Sequence, residues 1–282
     1  MKQISVLEIQ DKIKNMVQQV NVHYPQDIEK LLGKASQNET NPLGKEILGL
    51  LEKNRQIAAE KRIPICQDTG MVIVFIEIGQ GVQLVDGSLN EAIQKGVALG
   101  YEEGYLRKSI VADPLFHRIN TQDNTPCIIY PSIVDGDTVK LTVGCKGFGS
   151  ENMSVIRMLK PAQGVEGVKE TVLQAIQNAG PNACPPMVVG VGIGGSFDYA
   201  AVLAKKASLR DCMLENPDPD YAQLERELLE EANQLNIGPQ GLGGKTSVLK
   251  INIEQAPTHI AGLPVAVNIS CHVTRHISEV IE

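Results

Sequence analysis

The run Met71–Gly79, MVIVFIEIG, constrains the fold more than any other segment of this 282-residue chain. It is too short for most buried helices, and its β-branched residues favour extended backbone. Continuous apolar character, without alternation, is typical of a strand buried on both faces. We therefore expect a buried strand over these nine residues.

Helical periodicity dominates the first sixty residues. Apolar residues recur at spacings of three and four in two stretches: Ile9, Ile13, Met16, Val17, Val20, and then Ile47, Leu50, Leu51, Ile57. Asn41-Pro42 separates the two stretches, and Pro64 ends the region. Another helix is predicted to begin at Ser88, because Ser88 and Glu91 form the Ser-x-x-Glu capping-box pattern.

Two strand-like segments follow, Cys127–Val134 and Thr138–Val143. Asp135-Gly136-Asp137 separates them with the residues of a hairpin turn, which predicts an antiparallel pair. Further along, the patterns predict two helices and three strands: helices at Ser196–Leu209 and Asp218–Leu235, and strands at Pro186–Val191, Thr246–Ile253 and Pro264–Cys271.

These elements predict an α+β fold, with a helical N-terminal layer packed on a mixed or antiparallel sheet. The strands do not alternate strictly with helices, so a doubly wound parallel sheet is not favoured. No linker or repeat marks a boundary between independent domains. We expect a single large domain over residues 1–282, with a helical region at about 1–62 and an α+β region at about 63–282.

The charge distribution argues against nucleic acid or an anionic membrane as a partner. The formal net charge is −7, and no run of basic residues occurs. The N-terminal twenty residues mix charged side chains into their apolar positions, unlike a signal peptide, and no stretch approaches a membrane span. We therefore expect a cytoplasmic protein.

Two glycine-rich motifs resemble nucleotide sites but fit poorly. Gly190–Gly195 matches G-x-G-x-x-G, and Glu215 follows about twenty residues later, but only a short apolar segment precedes that acid. An oxidoreductase interpretation is kept as a distant alternative. Gly238–Ser247 ends like a P-loop, yet Pro239 stands where the first glycine is required, so its glycines are expected to form a tight turn or a close backbone approach.

Two histidines near the C-terminus could suggest zinc. His272 and His276 are four residues apart beside Cys271, which would suit zinc if the segment were helical. A solvent-exposed helix end without metal is the favoured interpretation.

The six cysteines contain no CxxC pair and are widely spread, unlike a secreted disulfide scaffold. Cys66, Cys184 and Cys271 each lie where a regular element is predicted to stop. They are 118 and 87 residues apart, so any cluster they share would be assembled by the tertiary fold. Each one alone is more often a buried small hydrophobic residue than a ligand.

Several motifs together resemble the class I, iron–sulfur fumarate hydratases. They are spread over about two hundred residues: PICQDTG, KGFGSENMS, NACPP with VGIGGS, and GLGGKTSV followed by PTHIAGLPVAVNISC. The resemblance covers nearly the whole chain and is to the separate α subunit of the two-subunit form, which corresponds to the N-terminal domain of single-chain enzymes. The α subunit of L-tartrate dehydratase has the same pattern.

The resemblance implies an oxygen-sensitive 4Fe-4S cluster bound by Cys66, Cys184 and Cys271. One iron would then lack a protein ligand and could act as a Lewis acid during reversible hydration of fumarate to (S)-malate. The resemblance leaves a structural role for Cys127 and Cys212. Cys145 stands beside the glycine loop, so both a structural role and a role in the site are open.

The resemblance also implies the residues that contact substrate. They follow the cluster cysteine or match a family arginine and glycine loop: Gln67, Asp68, Arg107, Gly147, Ser150 and Asn152. Asp68 would act in proton transfer or orient the leaving hydroxyl, although an Asx-turn before Gly70 is its structural alternative. His259 matches a family histidine and would be a proton carrier or a structural histidine. Phe148 and Met153 depart from residues frequent in the family loop.

The single-chain enzymes have a C-terminal domain that supplies further catalytic groups, and no segment here corresponds to it. The resemblance therefore implies a site completed by a β subunit, in a hetero-oligomer that is expected to be symmetric. L-Tartrate dehydratase is the close alternative because it uses the same chemistry. A non-catalytic iron–sulfur sensor or binding protein is the more distant one.

Overall fold

The computed structural model describes residues 2–282 and has an α+β fold, as the sequence predicts. Its helices in chain order are α1 (Val6–Val22), α2 (Gln26–Asn38), α3 (Pro42–Lys61), α4 (Leu89–Glu103), α5 (Phe148–Glu151), α6 (Gly164–Ala179), α7 (Phe197–Ser208) and α8 (Pro219–Gln234). Its strands are β1 (Lys2–Ser5), β2 (Met71–Gly79), β3 (Val82–Val85), β4 (Ile128–Val134), β5 (Val139–Lys146), β6 (Val155–Leu159), β7 (Met187–Gly195), β8 (Val248–Thr258), β9 (Leu263–Ser270) and β10 (His276–Ile281). Among the helices of residues 2–282, none combines the length and apolar character that crossing a membrane requires.

The chain forms two compact units, each assembled from segments that alternate along the sequence. Unit 1 comprises the chain up to Pro25, Arg55–Gly147 and Arg275–Glu282, and unit 2 comprises Gln26–Asn54 and Phe148–Thr274. This grouping does not test the expectation of one large domain over residues 1–282, which stays a prediction.

Unit 1 is built on a mixed sheet in the order β10-β5-β2-β4. β2 is parallel to β4 and antiparallel to β5, and β5 is antiparallel to β10. α1 packs against α4 and against β5, so Ile9, Ile13 and Met16 lie in one core with Val72 and Val74. The buried strand predicted over Met71–Gly79 is confirmed, and it lies in the interior of this sheet.

The predicted hairpin between β4 and β5 is wrong, because β2 lies between these two strands and pairs with both. The turn Asp135–Asp137 instead passes around the end of β2. There the Gly79 N–H donates to the Thr138 carbonyl oxygen at 2.9 Å, and the Gly81 N–H donates to the Gly136 carbonyl oxygen at 2.8 Å. β2 is the more apolar strand and takes the interior position, whereas β4 is largely exposed and takes the edge.

Unit 2 is built on a second mixed sheet, in the order β6-β9-β7-β8, with β7 parallel to β8 and antiparallel to β9. α6 and α8 cover one face, where Val172 and Leu228 share a core with Val189 and Val267. α7 covers the other face. The predicted helices at α7 and α8 are confirmed and begin after their N-cap residues Ser196 and Asp218.

The glycines of β7 explain how α7 lies so close to the sheet. A Cβ on Gly190 would lie 2.2 Å from the Ala204 carbonyl oxygen, and one on Gly192 would lie 2.1 Å from the Ala200 carbonyl oxygen. The whole Gly190–Gly195 motif lies within the strand, not in a turn between strand and helix. These glycines therefore serve packing, and the dinucleotide-binding interpretation is not supported by the fold.

Candidate active site

Cys66 lies in the turn between α3 and β2, and its side chain is half-buried. The preceding Ile65 is buried, and its N–H donates to the Asn21 carbonyl oxygen at 2.9 Å, which ties the start of the turn to α1. Gln67 follows and is exposed. Unit 1 therefore presents the Cys66 thiol and the Gln67 amide on a turn whose start is hydrogen-bonded to α1.

Asp68 uses one carboxylate oxygen to shape this turn. Its Oδ1 accepts a hydrogen bond from the Gly70 N–H at 2.9 Å, which is an Asx-turn. Its Oδ2 faces Gly147, since it lies 3.1 Å from the position that a Cβ on Gly147 would occupy. The structural role weighed for Asp68 is therefore present, and the second oxygen brings Asp68 together with another predicted substrate residue.

Arg275 is a residue of this region that the sequence interpretation missed. It is only 2% exposed, and its Nη1 donates to the Asp68 carbonyl oxygen at 2.7 Å and to Asn21 Oδ1 at 3.0 Å. Its Nε donates to the Cys145 carbonyl oxygen at 3.0 Å. Nη2 lies 3.4 Å from the position of a Cβ on Gly147. A buried positive charge thus accompanies Asp68 and Gly147. The signal in the sequence was that Arg275 is the one lysine or arginine after Lys250.

Two buried side chains hold the end of the turn. The Tyr101 hydroxyl lies 2.8 Å from the carbonyl oxygens of both Thr69 and Gly70, and Asn124 Nδ2 donates to the Gly70 carbonyl oxygen at 3.1 Å. Burial raises the pKa of Tyr101 well above its usual value, and the neighbouring Cys145 acts in the same direction. The phenol therefore stays protonated and continues to donate.

The backbone of Arg107 lies beside the same turn. The Thr69 hydroxyl donates to the Arg107 carbonyl oxygen at 2.8 Å, so the backbone of Arg107 is fixed next to the residues that follow Cys66. The Arg107 side chain is exposed. Unit 1 thus brings together the backbone positions of five predicted residues: Cys66, Gln67, Asp68, Arg107 and Gly147.

Cys184 and Cys271 lie at one end of the sheet of unit 2. Cys184 ends the 3₁₀ turn Gly180–Ala183, shortly before β7, and Cys271 directly follows β9, the antiparallel neighbour of β7. The His272 N–H donates to the Cys184 carbonyl oxygen at 3.2 Å, so the two segments are in direct contact. Cys184 is exposed and Cys271 is half-buried. Two of the predicted cluster ligands are therefore neighbours.

The predicted substrate loop reaches the same end of unit 2 through α5, which packs against Gly180–Ala183. Ser150 is buried and Asn152 is exposed. Between them, Glu151 pairs with Lys205: the Lys205 ammonium lies 2.5 and 2.6 Å from the two carboxylate oxygens. Asn268 Nδ2 also donates to Glu151 Oε2 at 2.8 Å and to Ser154 Oγ at 2.9 Å. The loop is thus attached to β9, three residues before Cys271.

His259 is not brought to this end of the sheet. It follows β8, and Thr258 pairs with Gly195 at the end of β7 that is remote from Cys184. Nine residues of extended chain separate the two ends, about 25 Å. His259 is exposed and lines a cavity of about 670 Å³, bounded by apolar residues of α6 and α8. Its predicted role in proton transfer stays a prediction.

The other three cysteines are buried, and burial raises the pKa of each thiol. The pKa of Cys127 rises to about 12 and that of Cys145 to about 11, while the pKa of Cys212 is raised by burial and by neighbouring Asp27. Metal ligation requires a thiolate, so protonated buried thiols are poor ligands. The chemistry favours the structural role for all three, including Cys145, for which both roles were open.

The zinc interpretation of His272 and His276 rested on helical spacing, and the favoured alternative was a solvent-exposed helix end. Both expectations are wrong about the local structure. His272 lies in a connecting segment, His276 begins β10, and both are buried. Among residues 2–282, no group of three or more His, Cys, Asp or Glu side chains is arranged to hold a single metal ion.

The remaining thiols fit an iron–sulfur cluster by the chemistry of their positions. Cys66, Cys184 and Cys271 lie on turns at the ends of regular elements and are at least partly accessible, unlike the other three. In the part of the chain that the structure describes, none of the six cysteines forms a disulfide. The three accessible thiols are therefore chemically suited to ligation.

Comparison with known proteins identifies the family. A sequence model described as fumarate hydratase (Fumerase) matches residues 10–280. A protein of Methanocaldococcus jannaschii, provisionally named L(+)-tartrate dehydratase subunit alpha, is 40% identical over 275 residues, covering 95% of this chain and 96% of the relative. Proteins named L(+)-tartrate dehydratase subunit alpha from Escherichia coli K12 and Shigella boydii are each 35% identical over 274 residues, covering 96% of this chain and 89% of the relative. These matches confirm the resemblance carried by the motifs, and the chain belongs to the fumarate hydratase (Fumerase) family of hydro-lyases.

Proposed function

We propose that this chain is the α subunit of an iron–sulfur hydro-lyase that reversibly adds water to fumarate, giving (S)-malate. Cys66, Cys184 and Cys271 would bind the 4Fe-4S cluster. The observation that carries the proposal is the backbone hydrogen bond from the His272 N–H to the Cys184 carbonyl oxygen, because it brings together two segments whose thiols are 87 residues apart in sequence and at least partly accessible. A family match over nearly the whole chain supports it.

When bound, the cluster would supply Lewis acidity toward a substrate carboxylate and hydroxyl through an iron that lacks a protein ligand. The residues of this chain would bind and orient the dicarboxylate. Gln67 offers an exposed amide as a donor, and the Arg107 guanidinium suits a carboxylate because it can form two parallel hydrogen bonds. Ser150 and Asn152 would add hydroxyl and amide donors near Cys184.

Asp68 is proposed to move a proton or to orient the leaving hydroxyl. The Asx-turn fixes Oδ1, and the Arg275 hydrogen bond to the Asp68 carbonyl oxygen fixes the backbone, so Oδ2 is held in one direction. Gly147 supports this arrangement because the absence of a Cβ lets its backbone approach both Asp68 Oδ2 and the Arg275 guanidinium closely. A substrate carboxylate or hydroxyl that reaches this part of the turn would contact Asp68 Oδ2.

We further propose that a β subunit completes the site in a symmetric hetero-oligomer located in the cytoplasm. The relatives are named as alpha subunits, which supports a partner of this kind. A chain that turns over fumarate at full rate without any partner would contradict this part of the proposal.

L(+)-Tartrate dehydration is the second candidate, because the relatives reported above carry that name. The two reactions share their chemistry, and tartrate has one more hydroxyl. The decisive experiment is turnover of fumarate and of L(+)-tartrate by the anaerobically purified chain combined with its β subunit. Faster turnover of tartrate would replace the fumarate assignment with the second candidate.

Iron and sulfide analysis tests the cluster itself. About four of each per chain, with a three-iron electron paramagnetic resonance signal on mild oxidation, is expected for three cysteine ligands and one labile iron. A cluster without turnover in the presence of the β subunit would instead indicate a sensor or binding protein. A folded protein that resists reconstitution with iron would remove the cluster from the proposal.

A further inference from the structure

Glu39 is a buried carboxylate at the end of α2 in unit 2, only 1% exposed. Its Oε1 accepts from the N–H groups of Thr40 and Asn41 at 2.8 and 2.9 Å. Its Oε2 accepts from the N–H groups of Lys245 and Thr246 at 2.8 and 3.3 Å. One carboxylate thus joins two segments that are about two hundred residues apart in sequence.

Lys245 and Thr246 belong to the glycine-rich segment Gly238–Ser247, whose sequence resembles a phosphate-binding loop. Glu39 occupies the place of the anion: a Cβ on Gly244 would lie 2.8 Å from Glu39 Oε2. The segment turns sharply, with positive φ at Gly238 and Gly244 among others. Backbone amides that would otherwise attract a phosphate are therefore satisfied by an internal carboxylate.

The same segment also holds the turn that carries Cys184. Gln240 donates to the Pro185 carbonyl oxygen twice, from its backbone N–H at 2.8 Å and from Nε2 at 2.9 Å. Gly241 approaches Pro181 so closely that a Cβ on this glycine would lie 2.4 Å from the proline ring. Cys184 lies between these two contacts, in a left-handed backbone conformation with φ of 49°.

We infer that Glu39 is a positioning residue for Cys184: it locks the Gly238–Ser247 segment, and this segment fixes the turn from which the thiol projects. The metal-binding part of the inference, that Glu39 affects how firmly Cys184 holds the cluster, depends on the function proposed above. The mechanical part, that Glu39 fixes the conformation of the Cys184 turn, does not. Because Cys184 has a left-handed backbone conformation, which is strained for a residue other than glycine, contacts from the surrounding structure are needed to keep the turn in one geometry.

The test is hydrogen exchange on the full-length chain carrying Glu39→Gln. A glutamine amide must place its NH₂ group against one of the two pairs of backbone N–H donors, so the hydrogen bonds to that pair are lost. Exchange should become about tenfold faster in residues 238–247 and also in the Cys184 turn, residues 180–187. Residues 63–70 of unit 1 serve as an internal reference, and Glu46→Gln, an exposed change in α3, is the matched control.

Acceleration confined to residues 238–247, or absent from both segments, would overturn the inference. If Glu39→Gln does not fold, Gln240→Asn decides instead. Asparagine tolerates the left-handed conformation of that position, but its side chain is too short to keep the Nε2 hydrogen bond to the Pro185 carbonyl oxygen, so only the backbone N–H bond remains. The inference then requires faster exchange in residues 180–187, and unchanged exchange there would overturn it.

A second readout is the rate at which a chelator removes iron from anaerobically reconstituted protein. Glu39→Gln should accelerate removal several-fold relative to Glu46→Gln, whether or not the β subunit is present. Equal rates in the two variants would contradict the metal-binding part. If the wild-type chain binds no iron, the proposed function fails, while hydrogen exchange still decides the mechanical part.

Discussion

Buried side chains have opposite hydrogen-bonding roles in the two units: they hold the Cys66 turn in unit 1 and the glycine-rich segment that supports the Cys184 turn in unit 2. In unit 1, buried donors from Tyr101, Asn124 and Arg275 reach the backbone carbonyl oxygens of the Cys66 turn. In unit 2, a buried acceptor does the corresponding work, since the Glu39 carboxylate collects the backbone N–H groups of the glycine-rich segment.

This difference follows from which backbone groups each turn leaves unsatisfied. The Cys66 turn enters β2 with its carbonyl oxygens facing the interior, where only a donor can satisfy them. The glycine-rich segment presents successive N–H groups, which form a concave site for an anion. The pH range over which each turn is stable should therefore differ. Tyrosine, asparagine and arginine keep their protons in acid, whereas a carboxylate gains a proton there and loses its charge.

The largest expected effect comes from removing the donor system of unit 1 with Arg275→Met. The substitution leaves three acceptors without this partner, two of them on the buried residues Asn21 and Cys145, so we expect a loss of about 4 kcal/mol in the free energy of unfolding. Urea denaturation measures the loss. Arg226→Met is the control, because Arg226 is exposed in α8 and its ion pair with exposed Glu215 should contribute little. Equal stability of the two variants would show that the Arg275 contacts are dispensable.

A somewhat smaller loss is expected in unit 2 from Lys205→Met. The change leaves the Glu151 carboxylate without its ammonium partner in a largely buried place, which should cost about 3 kcal/mol. Adding Glu151→Gln to the same chain should recover much of this loss, because no unpaired charge then remains. A double-mutant cycle by urea denaturation gives the coupling.

Lys169→Met provides the matched comparison for that cycle. Lys169 pairs with Glu227 and Glu231, whose side chains are more than a third exposed, so its loss should change stability little. If Lys205→Met proved as mild as Lys169→Met, the Glu151 pair would not anchor the substrate loop. The hydrogen bonds from Asn268 to Glu151 and Ser154 would then be the remaining attachment of the loop to β9.

Much of the secondary structure was predictable because local signals determine it. β2 has the predicted bounds, and α4 follows Ser88, whose hydroxyl accepts from the Glu91 N–H at 3.4 Å. Among the predicted site residues, Cys184 and Cys271 also lie together as a shared site requires. The motif residues carried this information, because composition and periodicity do not indicate which turns are neighbours in the fold.

Strand order and buried polar partners were not predictable in the same way. The Asp135–Asp137 turn signals a reversal of the chain, but it cannot signal that β2 inserts between the two strands. Arg275 and Glu39 were missed because the partners that matter include groups about two hundred or more residues away in sequence, where no local pattern marks the contact. β10 was missed for a related reason, since its pairing with β5 comes from a segment about 130 residues earlier.

Substrate turnover offers a finer comparison through Gly147→Ala in unit 1. The added methyl group would lie 3.1 Å from Asp68 Oδ2 and 3.4 Å from Arg275 Nη2, so it displaces the carboxylate oxygen that is proposed to face substrate. We expect kcat/KM of the complete enzyme to fall about tenfold, with little change in unfolding midpoint. Gly149→Ala is the control in unit 2, because its methyl group meets only the Asn182 carbonyl oxygen, at 3.9 Å. Equal losses in the two variants would argue against a substrate space beside Asp68.

The smallest expected effect is on the pH dependence of the free energy of unfolding, which compares the buried acceptor of unit 2 with the buried donors of unit 1. Burial opposes ionisation of Glu39, but four backbone N–H groups outweigh it and hold the pKa below its usual value. A lowered pKa in the folded state stabilises the protein at pH values above the unfolded pKa, and this stabilisation is lost as pH falls through the folded value. The free energy of unfolding should therefore fall as the pH drops below the usual glutamate pKa of 4.5, and it should fall less in Glu39→Gln, because glutamine does not titrate. Tyr101→Phe removes a donor of unit 1 that stays protonated throughout this range, so its stability should parallel that of the wild-type chain. A Glu39→Gln chain whose stability falls as steeply as that of the wild type would mean that other carboxylates, and not the lock on the glycine-rich segment, set the acid limit of unit 2.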